Sequence, residues 1–456
     1  MLNLRLSEIA LWTHGQLMGT DGAVNGVSTD TRSMERGALF VALKGEHHDG
    51  HDHLAAAAEA GAVGALVDHR IDINLPQVVV SDTLAALGDL ASAVRAKRRA
   101  RVIGITGSNG KTTVKTLTAA ILSRHGRTHV NAGNFNNEIG LPLTLLAMPE
   151  DAEYAVLEMG AGKPGDIDYL AAIARPDIGL VNTIAPAHLE RMGTLEMVAE
   201  TKGAVYQALP SDGIAVINAD DDFAGFFAGL AGARTTLRFG LSAPADISAE
   251  ILSLDTTGSR FVLRTPQGEV AVALPLPGRH NVANALAAAS IACALDVPLA
   301  TIAEGLQHAG GVPGRLRSRA MSGGWTLIDD SYNANPASTN AAIDTLALAG
   351  GERYLVLGDM AELGPNAEAL HAEVGARARE RGLQRLYATG PLSAAAVRAF
   401  GEGARHFDSR EALLAALHAD LHAGVTCLVK GSRSSAMDRV VSALETHSGG
   451  DAHHVA

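Results

Sequence analysis

Thr106-Gly107-Ser108-Asn109-Gly110-Lys111-Thr112-Thr113 is the stretch on which the reading of the fold turns. Ahead of it, Arg101-Val102-Ile103-Gly104-Ile105 is a short, β-branched apolar run that predicts a strand. Behind it, Val114, Leu117 and Ile121 recur at helical spacing and predict a helix ending near Gly126. Strand, glycine loop and helix in that order form the setting of a phosphate-binding loop. Glycines let backbone N–H groups converge on phosphate oxygens, and the helix N-terminus adds a favourable dipole. Gly107, Ser108, Asn109 and Gly110 are therefore the expected cradle, with Lys111 on the β- and γ-phosphates. A hydroxyl from Thr112 or Thr113 would sit on magnesium. The loop departs from G-x-x-x-x-G-K-[ST] at its first position, where Ile105 stands in place of glycine.

Outward from the loop, apolar runs alternate with helical or loop segments. Residues 154–157, 178–181 and 214–217 read as strands, which implies parallel pairing through right-handed crossovers. Toward the N-terminus, 38–43 and 78–80 read as strands and 53–60 as a helix stopped by Gly61. A basic run over 95–101 reads as a solvated helix end and marks the first boundary. Gly310-Gly311-Val312-Pro313-Gly314 marks the second, after which 327–328, 354–357 and 427–429 repeat the strand pattern. The expected domains are residues 1–99, 100–312 and 313–456, with a frayed tail from Ser448. The chain has 456 residues, 47% hydrophobic and 19% charged, which excludes wholesale disorder. A net charge of −12 argues against nucleic acid as a partner. Cys293 and Cys427 stand far apart and suggest neither a disulfide framework nor a thiolate metal site. The first fifteen residues lack a basic stretch followed by an apolar core, and no run approaches the ~18 apolar residues of a membrane span. A cytoplasmic protein, acting as a monomer without membrane insertion, is the expectation.

The loop T-G-S-N-G-K-T-T resembles that of the Mur ligases and their folylpolyglutamate synthetase relatives. Eight further motifs extend the resemblance from about residue 25 to 445. They are G-N-F-N-N-E-I-G-L-P (133–142), L-E-M-G (157–160), N-T-I-A-P-A-H-L-E (182–190) and G-R-H-N-V-A-N-A (278–285). P-G-R-L (313–316) leads into D-D-S-Y-N-A-N-P (329–336), and G-D-M-A-E-L-G (358–364) and K-G-S-R-S (430–434) follow. The resemblance implies an α/β protein of three domains. A central, mostly parallel phosphate-loop domain would be flanked by a small N-terminal α/β domain and a C-terminal Rossmann-like domain. It also implies an ATP- and magnesium-dependent carbon–nitrogen ligase of peptidoglycan precursor synthesis, a pathway tied to cell shape and division. Residues 1–100 contain no G-x-G and no D-N-P-R occurs in the last third. The D-D-S-Y-N-A-N-P run instead implies addition of D-alanyl-D-alanine to UDP-N-acetylmuramoyl-tripeptide. Polyglutamate addition to a folate is the alternative.

Residue roles follow from the same resemblance. Lys111, Lys202, His188 and Arg315 would be catalytic, and Thr112, Glu158, His188 and Lys202 would hold metal. Glu158 closes an apolar run, where a carboxylate is costly unless it is paired or binds a cation. Lys202 would act as a carbamate, although Ala204 replaces the glutamate usual in the family's K-G-E pattern. Asn281 would contact adenine, with a helix N-cap role compatible. Arg315 would reach the γ-phosphate, and Asp330 would accept from the ribose. Ser28, Asp30, Arg32 and Lys44 would bind the uridine diphosphate. Asn137, Asn333, Asn335 and Lys430 are further candidates for contacts with the substrates. His47, His48, Asp49, His51, Asp52 and His53 could hold a metal ion, but the family carries D-G-H here without one.

Overall fold

The structure is a computed structural model and describes residues 3–187 and 189–450. Among them, the first hundred build a five-stranded sheet in the order Gln16–Met18, Gln77–Val79, Gly64–Val67, Ala38–Val41, Gly26–Ser28. It is parallel apart from the first pair. The helix Leu54–Ala60 stops where Gly61 turns left-handed at φ 94°, a conformation glycine adopts without a Cβ penalty. The helix Thr83–Ala96 starts at Asp82, whose carboxylate accepts from the amides of Leu84 (2.8 Å) and Ala85 (3.0 Å). It packs on two helices of the next domain, Gly140–Leu146 and Asp166–Ala174, and ties the two domains into one apolar cluster.

The middle domain carries a nine-stranded sheet among the described residues. Its centre is Ile178–Val181, Arg101–Thr106 and Tyr154–Glu158, all parallel. Alternate residues of Arg101–Thr106 face opposite layers. Ile103 and Ile105 pack under the helices Lys111–Leu122 and Arg279–Cys293, whereas Val102 joins the apolar layer on the other side. Each such fully buried side chain contributes about 1.5–3 kcal/mol. The expectation of parallel pairing holds as far as Ile247–Leu254. Beyond it, Ser259–Thr265 and Gly268–Leu274 are antiparallel, a correction to the alternating pattern. The reason is local: Asp255 accepts from the amides of Thr257 (2.7 Å) and Gly258 (2.9 Å), closing a tight turn with no room for a crossover helix.

The third domain's sheet runs Arg317–Ala320, Thr326–Asp330, Val425–Lys430, Glu352–Gly358, Arg385–Thr389, Ala404–Phe407. It is parallel except for its first strand. The last helix, Asp438–Gly450, includes residues 448–450, which the sequence assigned to a frayed tail. Residues 451–456 lie outside the described residues. No described helix is long and apolar enough to cross a membrane. Strands of the middle domain end at Thr106 and Glu158, those of the third at Asp330 and Lys430, and all but Thr106 line one cleft. Ligands of open parallel sheets gather at such carboxyl ends.

Candidate active site between the middle and third domains

A cleft of about 1190 Å³ lies between the middle and third domains. Its floor is the phosphate loop, which needs its glycines for space as well as for conformation. Gly107 and Gly110 have φ of 141° and 80°. A Cβ on Gly110 would stand 2.2 Å from Asn182 Nδ2 and 2.4 Å from Asn284 Oδ1. Those two amides are bonded to each other at 2.9 Å, and Asn182 also donates to the Asn109 carbonyl at 3.0 Å. Ser108 donates through its amide to Thr183 O (2.7 Å) and through its hydroxyl to Ala185 O (3.0 Å). The loop is therefore held from below by the segment that follows Ile178–Val181.

Lys111 opens the helix Lys111–Leu122 and curls back to donate to Gly107 O at 2.8 Å. Burial lowers its pKa, and the Glu158 carboxylate opposes that shift. Thr112 donates to Glu158 Oε2 at 2.9 Å and accepts from Arg315 Nη2 at 3.0 Å. Arg315 thus crosses from the third domain onto the phosphate loop. Its guanidinium lies over the Tyr332 ring at 4.5 Å, and its buried Nε has no hydrogen-bond partner among the described residues. A buried donor left open in this way fits an anionic oxygen. Glu158 is 4% exposed. Burial would raise its pKa, but the charges of Lys111 and Lys115, with hydrogen bonds from Asn136 and Thr112, hold it below the usual range. A hydroxyl beside a charged carboxylate is the oxygen donor set a magnesium ion takes.

Lys202 lies on the helix Leu195–Gln207 and is 1% exposed. Burial, and then the charge of Lys111, push its ammonium well below the ordinary lysine value. His188, expected beside it, lies outside the described residues. Asn281 is in the first turn of Arg279–Cys293 and is not its cap, which is Gly278. Its amide donates to Pro277 O at 2.8 Å and accepts from Asn284 at 3.1 Å, leaving it on the cleft wall.

Other sequence candidates are held differently from the expectation. Lys430 donates to Asp330 Oδ2 at 2.6 Å and to Asn333 O at 2.9 Å. Two residues assigned to different substrates are thus one buried ion pair, and burial still raises the Asp330 carboxyl against the pull of Lys430. Asn335 caps the helix Pro336–Leu346, accepting from Ser338 N at 2.9 Å, and donates to Asn109 Oδ1 at 2.8 Å. Its side chain is committed to a cap and to a contact between domains. Asn333 uses Oδ1 on the next amide, Ala334 N, at 2.9 Å. Asn137 accepts from Gly140 N at 2.9 Å and lines the cleft.

Ser28, Asp30, Arg32 and Lys44 are not among the cleft-lining residues. They stand on the first domain, where Gly26–Ser28 ends in a turn. Ser28 Oγ accepts from Asp30 N at 3.1 Å, and Asp30 holds Arg32 at 2.6 Å. The Arg32 guanidinium keeps the Asp30 carboxyl down to about 2. In the adjacent loop, His51 parts from its histidine neighbours. Its Nδ1 meets Asp49 at 2.6 Å, and its Nε2 accepts from Asp68 N at 3.1 Å. Asp68 and His69 come within 4.8 Å of it. Nδ1 of His51 is thus engaged within its own loop, and Nε2 joins that loop to Asp68, just past the strand Gly64–Val67.

Phosphate loop, buried carboxylate, buried lysine and an arginine from a second domain together define a nucleotide-dependent ligase of the Mur type. Three family models match the chain: "Mur ligase family, catalytic domain" over 23–104, "Mur ligase middle domain" over 105–292, and "Mur ligase, glutamate ligase domain" over 314–433. The chain belongs to the Mur ligase family and is an ATP-dependent ligase. It is 45% identical to the UDP-N-acetylmuramoyl-tripeptide–D-alanyl-D-alanine ligase of Escherichia coli (strain K12), covering 98% of this chain and 99% of that one. A crystal structure of MurF from Acinetobacter baumannii superposes with a TM-score of 0.92 at 33% identity, over 98% of this chain and 99% of the other. MurF of Thermotoga maritima in complex with ADP gives 0.82 at 27% identity, over 94% and 99%.

Four residues that hold the site escaped the sequence reading as individuals: Asn136, Asn182, Asn284 and Tyr332. Asparagine carries no periodicity, and only its partners reveal its use. Lys115 was also passed over, although a lysine among Val114, Leu117 and Thr118 on a helix's buried face is itself a signal.

Proposed function

We infer that this chain joins D-alanyl-D-alanine to UDP-N-acetylmuramoyl-tripeptide with ATP, giving the UDP-linked pentapeptide, ADP and phosphate. The observation that carries the reading is the Arg315–Thr112 bond of 3.0 Å, directly over Glu158. It brings a cation of the third domain onto the phosphate loop. Amide formation from a carboxylate is uphill, so the tripeptide carboxylate takes the γ-phosphoryl group first and the dipeptide amine then displaces phosphate. Charge in flight must be neutralised, and Lys111, the loop amides and Arg315 are placed for it. Closure of the third domain keeps water from the acyl phosphate.

Magnesium, held by Thr112 and Glu158, would supply charge neutralisation on the phosphates. His188 belongs to the same reading. Lys202 is read as a carbamate, an anion for a second ion, and its burial without a hydrogen bond among the described residues supports modification. Asn281 and Asp330 are read as contacts to the nucleoside. Ser28, Asp30, Arg32 and Lys44 are read as the uridine diphosphate site, supported by their place at the carboxyl end of a parallel strand. Asn137, Asn333, Asn335 and Lys430 are read as substrate contacts that must exchange their present partners to serve. Domains of 1–99, 100–312 and 313–456, acting as a cytoplasmic monomer on soluble small molecules, complete the reading.

The test is phosphate release from ATP. It should require magnesium and both UDP-N-acetylmuramoyl-tripeptide and D-alanyl-D-alanine. Release with a folate and glutamate instead, and none with the cell-wall pair, would overturn it.

A further inference from the structure

The helix Lys111–Leu122 carries a second lysine one turn after Lys111. Lys115 is 6% exposed among apolar neighbours, where an ammonium is costly unless every proton is paired. Three acceptors surround it. It donates to the carbonyls of Asn131 and Gly133, each at 3.2 Å, and lies 3.4 Å from Glu158 Oε2.

The loop it grips is stitched to the same strand end. The strand Thr128–Val130 pairs with Tyr154–Val156 and then stops. Asn131, 2% exposed, continues the ladder with its side chain: Oδ1 accepts from Glu158 N at 2.7 Å, and Nδ2 donates to Glu158 O at 3.0 Å. The same Nδ2 donates to Phe135 O at 2.8 Å. Asn136 then donates to Glu158 Oε1 at 2.8 Å, and its carbonyl accepts from Gly160 N at 2.8 Å. The segment 131–137 therefore leaves the strand, wraps around the Glu158 carboxylate and delivers Asn136 and Asn137 to the cleft wall.

We infer that Lys115 is a positioning residue whose ammonium fixes the 131–137 loop and the Glu158 carboxylate as one unit, presetting the substrate face of the cleft from the phosphate-loop helix. Lys111 and Lys115 lie on one helix, so the two sides of the reaction share a rigid element. The inference rests on the reading of Glu158 and Asn137 as parts of the ligation site. It gives Lys115 no contact with reacting atoms.

The experiment compares the full chain with Lys115→Met by hydrogen–deuterium exchange without ligands and by steady-state kinetics. Amides of 131–137 should exchange at least tenfold faster, while those of the central strand 101–106 keep their protection. The KM for the UDP-linked tripeptide should rise at least fivefold and by more than the ATP KM, because Thr112 and Asn136 still hold the Glu158 carboxylate. Unchanged exchange in 131–137, an equal loosening of 101–106, or a parallel rise in both KM values would overturn the inference. If Lys115→Met does not accumulate as folded protein, Lys115→Gln, which keeps a donor but removes the charge, is read against the same outcomes. A wild-type chain without ligation activity would overturn the function while leaving the exchange result to decide this inference by itself.

Discussion

Asp330 and Lys430 form a pair 2.6 Å apart, with side chains 11% and 3% exposed. Removing one partner of such a pair leaves a buried charge uncompensated and costs about 3–5 kcal/mol, whereas replacing both by apolar groups is far milder. Asp330→Ala should therefore lower stability by about that amount, and Asp330→Ala/Lys430→Met should recover a large part of it. Urea unfolding of the two variants decides the matter; a double variant as unstable as the single would deny the pair its coupling. Lys202 makes the opposite case, a buried lysine without a carboxylate at bonding distance among the described residues. If it works as a carbamate, Lys202→Ala should be nearly inactive and should regain part of its turnover with added formate or acetate, which can stand in for the missing anion. Near-normal turnover of Lys202→Ala, or an unmodified side chain in a mass spectrum taken with bicarbonate, ATP and magnesium, would sink that role.

The helix Arg279–Cys293 begins at the seam with the third domain and brings His280 into the cleft lining. Burial, and then the charge of Lys430, hold His280 down from 6.5 to about 4, and a helix N-terminus disfavours a cation as well. The unfolded chain takes up this proton as pH falls through about 6.5, while the folded chain resists until about 4. The unfolded state thus binds more protons across that window, and stability falls as pH falls. His280→Gln should flatten the drop in urea midpoint between pH 7 and pH 5; an unchanged slope would remove His280 from the account. Elements of this kind differ in how readily a sequence declares them. Arg101–Thr106 and Lys111–Leu122 were legible because their apolar residues keep one period and a glycine loop lies between them. The strands Ser259–Thr265 and Gly268–Leu274 were not, since half their residues face solvent and only the Asp255 turn marks the change of direction. The cleft was legible where a motif has one chemical purpose, as at Lys111 and Glu158. It was illegible where a side chain's use depends on a partner two hundred residues away, as with Asn335 on Asn109.

At the scale of the whole molecule, separate hydrogen bonds among the described residues hold the third domain to the middle one, Ser318 Oγ to Thr256 O at 3.0 Å and others at the phosphate loop. Arg315 donates to Thr112 at 3.0 Å, Asn335 to Asn109 at 2.8 Å, and Glu190 N to Glu362 O at 3.4 Å. Each neutral bond contributes about 0.5–1.5 kcal/mol net, and a charged donor about 1.5–3 kcal/mol. A tenfold change in an equilibrium takes about 1.4 kcal/mol. Losing one contact should therefore shift the closed-to-open ratio measurably. Asn335→Ser isolates that contact. Serine is as good a helix cap as asparagine, so the bond to Ser338 N can be kept, but its hydroxyl is too short to reach Asn109. The helix Pro336–Leu346 should stay formed while the closed-to-open ratio falls by a factor of about 2 to 10. Small-angle scattering of the nucleotide-free protein should then show a larger radius of gyration than wild type, at unchanged circular dichroism. Equal radii would mean that Arg315 and the remaining contacts hold the domain by themselves, and that the Asn109–Asn335 pair is a consequence of closure with no part in maintaining it.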